Sequence, residues 1–306
     1  MTLALLCSGQ GRQDRGMFDV FEGQPAAVPI LAEVGALLGR DVGTLLRDAS
    51  EAELHANRTS QILCVARALV TAAGLAPPKP YIVAGYSVGE MAAWGVAGVW
   101  TSEQTLRLTA ARAETMDAAS GANDGLGFVR GLTRDRVDVL VARFECAIAI
   151  VNPALLFVIG GEREQVARCC AAALDEGAVA ARPIAVNIAS HTPRLSGAVA
   201  PFRAALDASM PGRPHPGVTL ISAADASIVS GARGVPGLAA QLDTTIDWAA
   251  TLEALVERGV RRVLELGPGT AIADMARGAY PVLDARSIDE FRALDGVTGW
   301  IERQAR

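Results

Sequence analysis

The sequence of 306 residues has little of what several common chemistries require. It has one lysine, Lys79, and no Gly-Lys-Ser/Thr phosphate-binding sequence, which argues against Schiff-base chemistry and P-loop nucleotide binding. Its five cysteines show neither disulfide nor metal-ligand spacing, so the chain predicts no metal site. Aromatic residues make up 5% of the chain, so the core must be built largely from Ala, Val, Leu and Ile.

Basic charge and long apolar runs are also scarce. The net charge is −5 and no basic stripe is visible, which argues against a nucleic-acid partner. The N-terminus lacks a basic region and a full apolar signal core. The longest apolar run, 147–161, contains Asn152 and Pro153 and is too short to cross a bilayer. These features predict a cytoplasmic protein with no membrane partner.

Strand-like and helix-like segments alternate along the chain, which is typical of an α/β fold. The sequence pattern predicts helix over residues 27–75 with breaks around 39–41 and 57–59, and a capping box of Thr101 and Gln104 at the start of a further helix. Between residues 124 and 191 the order is strand, helix, two strands, helix, strand, as in ferredoxin-like units. The predicted segments are strand 127–132, helix 133–144, strands 146–151 and 155–159, helix 162–176 and strand 178–186. We therefore expect a large α/β-hydrolase-like domain with a parallel sheet, residues 1–123 and 192–306, carrying an inserted ferredoxin-like subdomain, residues 124–191.

The most informative motif is a Gly-Tyr-Ser-Val-Gly sequence, Gly85–Gly89, which directly follows an apolar strand. Such a strand-to-helix turn can lift a serine hydroxyl out of the backbone as a nucleophile. The N–H of Val88, at the start of the helix, would then face the oxygen that becomes negative during attack. The same sequence also arises by chance among 31 glycines, and a serine can simply cap a helix. The preceding strand favours Ser87 as a nucleophile for acyl transfer.

A serine nucleophile needs a base within hydrogen-bond reach, and the chain offers three histidines. His55 lies in a polar helical end and His215 lies between two prolines. His191 follows the predicted insert, where the chain would return to the larger domain and face a cleft. It could also be a simple turn residue before Thr192-Pro193. Elimination of the other two histidines favours His191 as the base.

One arginine interrupts an apolar helical face. Arg112 shares a face with Leu108 and Met116, four residues away on either side. A guanidinium in that position either extends to water or is held inward to meet an anion. Because this helix follows the one that leaves the Gly85–Gly89 turn, the position favours anion binding.

Taken together, the motifs resemble those of the malonyl-CoA:acyl-carrier-protein transacylase family over nearly the whole chain. The sequence has that family's Gly-Gln-Gly-x-Gln loop near its start, its serine turn with Glu90 directly after it, its arginine, its Ser-His step and its C-terminal Gly-Pro-Gly. The corresponding segments are Gly9–Gln13, Gly85–Glu90, Arg112, Ser190-His191 and Gly267–Gly269. Tyr86 replaces the family's usual histidine.

The resemblance implies a role for each matching residue. Ser87 would be the acylated nucleophile and His191 its general base and acid, and no triad carboxylate would be needed. Arg112 would pair with the free carboxylate of a malonyl group. The remaining implied roles are the oxyanion N–H groups of Gln10 and Val88, the carbonyl of Gln241 that orients the histidine, and the side chain of Gln61 that lines the pocket.

Several departures indicate a branch of the family. Gln61 is followed by Ile62 instead of proline, Arg112 by Ala113 instead of glycine, and Leu195 replaces a common methionine. With the segment 58–66, these features most resemble the transacylase subunit of malonate decarboxylase. The resemblance then implies malonyl-CoA as donor, no permanently bound cofactor, and a phosphopantetheine-type thiol on an acyl carrier protein as acceptor. That carrier would be the decarboxylase carrier subunit; a fatty-acid or polyketide carrier is the alternative.

Two other functions compete. An α/β-hydrolase thioesterase shares the serine turn, but it would place an acidic residue and then a histidine near the C-terminus, and no histidine follows His215. A catalytically silent scaffold that docks a carrier protein would need no nucleophile at all.

Overall fold

The computed structural model describes residues 2–303 of the chain and has a mixed α/β architecture, as predicted. The strands are β1 (Thr2–Cys7), β2 (Tyr81–Gly85), β3 (Asp124–Arg130), β4 (Ala147–Asn152), β5 (Leu156–Glu162), β6 (Ala180–Ile184), β7 (Val218–Ile221), β8 (Ile228–Val229), β9 (Ile246–Asp247), β10 (Val260–Glu265) and β11 (Asp284–Ser287).

The helices lie between and after these strands. They are α1 (Ala27–Leu38), α2 (Val42–Asp48), α3 (Glu51–Leu54), α4 (Asn57–Leu75), α5 (Gly89–Val96), α6 (Ser102–Ala119), α7 (Arg134–Arg143), α8 (Arg163–Asp175), α9 (Ser196–Ala208), α10 (Val235–Ala240), α11 (Trp248–Glu257), α12 (Ala271–Ala279) and α13 (Leu294–Glu302). None of the described helices is long and apolar enough to cross a membrane.

The larger sheet has the order β11-β10-β1-β2-β7-β8 and is parallel except for the β7–β8 pair. Its central strand β1 is almost entirely buried, because helices cover both faces of the sheet. Parallel strands carry their carboxyl ends to the same edge. The end of β1 therefore lies beside the end of β2, where Cys7 pairs with Gly85.

The smaller sheet has the order β6-β3-β5-β4-β9. The pairs formed by β3, β4, β5 and β6 are antiparallel, and the connecting helices α7 and α8 follow the predicted element order. One face carries its own apolar cluster with α7 and α8. Residues of the other face, such as Leu126 and Ile150, belong to the same apolar cluster as Ala4 and Ile82 of the larger sheet. The two sheets therefore share a core.

The division of the chain at 124 and 191 remains a proposal. The structure adds one strand to the smaller sheet from outside that range. The strand β9, from the C-terminal part of the chain, pairs in parallel with β4 through Ile150 and Ile246. The smaller sheet thus includes residues from beyond the predicted insert. Directly after β9, Trp248 is fully buried in the core that the sheets share.

The helical region between residues 27 and 75 differs from the prediction at the second break. We expected a break around Asn57–Thr59, but α4 begins at Asn57. The break comes earlier, at His55 and Ala56, because α3 ends there after one short turn. Asn57 has a low helix propensity, which favoured a break there. In the structure its side chain is held by α6, because its Nδ2 donates to Asp117 at 2.9 Å. The predicted capping box of Thr101 and Gln104 at the start of α6 is confirmed.

Candidate active site

Ser87 lies in the tight turn between β2 and α5. Its φ is 56°, a left-handed value that costs free energy for any residue with a side chain. The cost is sustained because strand and helix are fixed on either side by their hydrogen bonds and packing. The turn lifts the partly exposed Ser87 side chain out of the carboxyl edge of the larger sheet.

The glycines on either side of Ser87 allow the close approach of strand and helix. A Cβ added at Gly85 would lie 2.1 Å from the carbonyl carbon of Gly89. A Cβ added at Gly89 would lie 2.2 Å from the carbonyl oxygen of Cys7. Both neighbours are backbone atoms, which cannot rotate away. The two glycines are therefore a steric requirement of the turn.

We expect Gly89→Ala to destabilise the protein by about 3 kcal/mol or more, or to prevent folding, because its Cβ would overlap the backbone of β1. Gly278→Ala is the matched control, since Gly278 lies in α12 with open space around it. That change should stabilise the protein by about 0.5–1 kcal/mol. Urea unfolding of the two variants measures the difference; equal stabilities would contradict the steric argument.

The structure brings His191 and Ser87 together, although they are 104 residues apart. The Ser87 hydroxyl lies 2.7 Å from Nε2 of His191, and Nδ1 of the same ring lies 2.6 Å from the carbonyl oxygen of Gln241. A carbonyl oxygen only accepts, so Nδ1 carries the proton and donates. The neutral ring therefore presents an unprotonated Nε2 to the serine hydroxyl, which is the arrangement a general base requires.

The backbone also fixes His191. Its N–H donates to the carbonyl of Leu242 at 2.8 Å, and its φ is 63°. The other two histidines lie elsewhere: Nδ1 of His55 hydrogen-bonds the carbonyl of Glu51, and the His215 ring lies against Gly98. Elimination by sequence position thus selected the histidine that contacts Ser87.

Burial lowers the pKa of His191 to about 3. The positive charge of Arg112 lowers it further, while the hydrogen bond to Gln241 acts in the opposite direction. The imidazole is therefore neutral at pH 7. Because the unfolded chain binds more protons between pH 3 and 6.5, this histidine makes the folded state less stable as the pH falls through that range.

We expect the His191 imidazole to remain neutral from pH 8 down to at least pH 5. NMR titration of the histidine ring signals, assigned with His191→Gln, measures this. Arg112→Met should move the midpoint upward, because it removes a positive charge that opposes protonation. A midpoint near 6.5 in the wild-type protein would show that the ring is not desolvated.

Arg112 is buried beside this pair. Its Nη1 donates to Oε1 of Gln61 at 2.7 Å and contacts Sδ of Met116 at 3.2 Å. Its buried Nη2 has no hydrogen-bond partner among residues 2–303. Burial lowers the pKa of Arg112 to about 10, against the opposing charge of Glu90, so the guanidinium is still charged at pH 7. A charged group with an unsatisfied N–H edge is suited to an anion.

Gln61 holds this guanidinium in place. Its Nε2 donates to Oδ1 of Asn57 at 2.7 Å, one turn earlier on α4, while its Oε1 accepts from Arg112. The amide orientation follows, because only the oxygen can accept from an arginine. The structure therefore places Gln61 against Arg112, where it restricts which guanidinium edge is free.

The backbone N–H groups of Gln10 and Val88 lie at the ends of β1 and β2, in the two loops beside Ser87. Neither donates a hydrogen bond to another part of the described chain. Gly9 permits this approach, because a Cβ there would lie 3.0 Å from the carbonyl oxygen of Tyr86. Two free donors at adjoining strand ends are suited to an oxyanion.

A cleft of about 840 Å³ opens beside this site. Gln10 and Ser60 line one side, and the segment 185–188, which follows β6, lines the other. The cleft thus lies between the loop after β1, the start of α4 and the segment that follows β6. Its lining includes Gln10 and also Asn57, which accepts a hydrogen bond from Gln61 of the site.

Two buried carboxyl groups near the site have no role in the sequence prediction. Glu90 and Glu265 are both almost fully buried, and burial raises the pKa of each to about 7. Glu265 accepts from the Ser8 hydroxyl and from the N–H of Ala273, both at 2.8 Å. The sequence did offer one signal for Glu265, its place at the end of the buried strand β10. A carboxyl group buried there requires hydrogen-bond partners.

Tyr86, which replaces the usual histidine of the resembled family, packs against Trp248. Its ring lies edge-on to Trp248 with centroids 5.3 Å apart. Burial raises its pKa to about 12, so the hydroxyl is neutral. No group of three or more His, Cys, Asp or Glu side chains within residues 2–303 could hold a metal ion.

Comparison with known proteins places the chain in a family. Residues 4–272 match the acyl transferase domain family. The malonyl CoA-acyl carrier protein transacylase of Mycobacterium tuberculosis is 30% identical over 302 residues, covering 96% of this chain and 98% of the relative. That of Salmonella typhimurium is 27% identical over 303 residues, covering 95% and 97%.

Solved structures agree with this assignment. The acyl-carrier-protein S-malonyltransferase of Burkholderia pseudomallei superimposes with a TM-score of 0.91 at 26% identity, covering 97% of this chain and 99% of that one. A malonyl-transacylase in complex with its type II polyketide acyl carrier protein gives the same values. The fold and the site therefore define an acyltransferase. The chain belongs to the acyl transferase domain family and is similar to its malonyl transacylases.

Proposed function

We propose that the protein transfers a malonyl group from malonyl-CoA to the phosphopantetheine-type thiol of an acyl carrier protein through an acyl-serine. The observation that carries the proposal is the buried Nη2 of Arg112, which has no partner among the described residues and belongs to the same site as the Ser87–His191 pair. A malonyl thioester supplies both groups that this site would receive, a reactive carbonyl and a free carboxylate. The names of the relatives support the same donor and acceptor.

In the first half-reaction, the Ser87 oxygen attacks the thioester carbonyl while Nε2 of His191 takes the hydroxyl proton. The N–H groups of Gln10 and Val88 would hold the oxyanion, and loss of one such donor typically costs about 3–4 kcal/mol. The carbon–sulfur bond then breaks, and His191 returns the proton to the sulfur of CoA. The product is malonyl-Ser87.

In the second half-reaction, the carrier thiol enters by the reverse path. His191 takes the thiol proton, the sulfur attacks the ester carbonyl, and the carbon–oxygen bond to Ser87 breaks. His191 then returns the proton to the serine oxygen. Because the same imidazole takes and returns the proton in both half-reactions, the cycle needs no general acid or base besides His191.

The acceptor is the finer question. The names of the similar proteins favour a fatty-acid or polyketide carrier: a segment of the polyketide biosynthesis protein ThaF of Burkholderia thailandensis is also 30% identical over 288 residues, 91% of this chain and 24% of that protein. The sequence departures at Tyr86 and Ala113 favour the carrier subunit of malonate decarboxylase instead. We propose the fatty-acid or polyketide carrier as the acceptor and keep the decarboxylase carrier as the second candidate.

The test is malonyl transfer from radiolabelled malonyl-CoA to each holo-carrier, side by side, with hydrolysis measured in the same assay. We expect transfer to exceed hydrolysis by a wide margin. Faster transfer to the decarboxylase carrier would assign the protein to that complex. Dominant hydrolysis would indicate a thioesterase, and no acylation at all would indicate a docking scaffold. The predicted cytoplasmic location remains a prediction.

A further inference from the structure

Glu90 is a buried carboxyl group, 1% exposed, that the proposed reaction does not use. It lies in the first turn of α5, three residues after Ser87. Its Oε2 accepts two hydrogen bonds, one from Nε2 of Gln241 and one from the backbone N–H of Ala223 at 3.1 Å. Glu90 therefore joins the helix after the serine turn to two other loops.

Gln241 is the residue whose carbonyl oxygen accepts the Nδ1–H of His191. The next residue, Leu242, accepts the backbone N–H of His191. The segment Gln241-Leu242 thus fixes both the orientation of the His191 ring and the position of its backbone. Gln241 directly follows α10, a helix of six residues, and its side chain is anchored by Glu90.

We propose that Glu90 is a positioning residue for His191 and acts through the side chain of Gln241. This inference rests on the proposed acyl-serine function of the same site. In serine enzymes with a triad, a carboxylate contacts the histidine directly. Here a neutral carbonyl makes that contact, and the carboxyl group holds the residue that carries the carbonyl.

The geometry also indicates which property of Glu90 matters. Both hydrogen bonds end on the same atom, Oε2, so the amide oxygen of a glutamine could accept both. Oε1 of Gln241 is buried without a hydrogen-bond partner in the described chain, and the amide nitrogen of a glutamine at position 90 could donate to it. The positioning role therefore requires an acceptor and not a negative charge.

The experiment compares Glu90→Met, Glu90→Gln, Gln241→Met and the double variant Glu90→Met/Gln241→Met by rapid-quench measurement of Ser87 acylation. Glu90→Met should slow acylation by about 10- to 100-fold with little change in the half-saturating malonyl-CoA concentration. Glu90→Gln should restore most of that rate. The double variant should be no slower than the slower single variant, because the two residues act in series.

Two controls separate positioning from folding. Glu103→Met removes an exposed carboxylate on α6 and should retain the wild-type rate. The NMR signals of the His191 ring nitrogens report the tautomer directly, and Glu90→Met should show a mixture of the two neutral tautomers where the wild-type shows one. A variant that is merely less stable would keep a single tautomer in its folded fraction.

Several results would overturn the inference. These are an unchanged tautomer and rate in Glu90→Met, a loss in Glu90→Gln as large as in Glu90→Met, or additive losses in the double variant. If Glu90→Met does not fold, Gln241→Met and Glu90→Gln carry the comparison, and an unchanged tautomer in Gln241→Met overturns it. Failure of wild-type acylation would reject the proposed function alone, because the NMR measurement needs no substrate.

Discussion

Ser87→Ala should abolish the malonyl-enzyme adduct and lower transfer by a factor on the order of 10⁶, because no other nucleophile contacts Nε2 of His191 in the described structure. Intact-protein mass spectrometry after mixing with malonyl-CoA measures the adduct. The wild-type protein should gain one malonyl group within the mixing time. The variant should gain none.

Ser230→Ala is the control for this change, since Ser230 is exposed beyond the end of β8. It should form the adduct as the wild-type does. An adduct that persists in Ser87→Ala would place the nucleophile elsewhere, and peptide mapping would then identify the modified residue.

Arg112→Ala should lower kcat/KM for malonyl-CoA by roughly 10- to 160-fold, the equivalent of about 1.5–3 kcal/mol for a hydrogen bond to a charged group. Acetyl-CoA has no free carboxylate to pair with the guanidinium, so kcat/KM for acetyl-CoA should fall much less. The preference for malonyl over acetyl should therefore narrow. Parallel measurement of both donors tests this.

Arg107→Ala is the matched control, because Arg107 lies on the same helix with its side chain 62% exposed. It should change neither rate nor preference. If Arg112→Ala loses activity toward both donors equally, the arginine supports the structure of the site and does not select the substrate.

The serine turn could be predicted because its signal is local. An apolar strand, two glycines and a helix-compatible segment are contiguous at positions 81–94, and the steric need for Gly85 and Gly89 follows from the turn itself. His191 required an argument by elimination, which selected the histidine that contacts Ser87 because the chain has only three histidines. Helical periodicity gave the face of Arg112, but it could not distinguish an inward from a solvent-exposed guanidinium.

Contacts between distant segments could not be predicted in this way. Gln241 and Glu90 are 151 residues apart, and the contact of Gln241 with His191 uses a backbone carbonyl, which every residue type has. Only a family resemblance could indicate that residue. The strand β9 was missed for a different reason: two residues are too few to show a periodicity.

The interior location of Arg112 has a consequence for the lifetime of the protein. A buried cation with too few hydrogen-bond partners lowers the free energy of unfolding. Attachment of a dicarboxylic acyl group to the enzyme would supply the missing partner, a carboxylate, and would raise the free energy of unfolding. The loaded form should then resist heat and proteolysis better than the resting form, so the supply of donor thioester would influence how long each molecule survives.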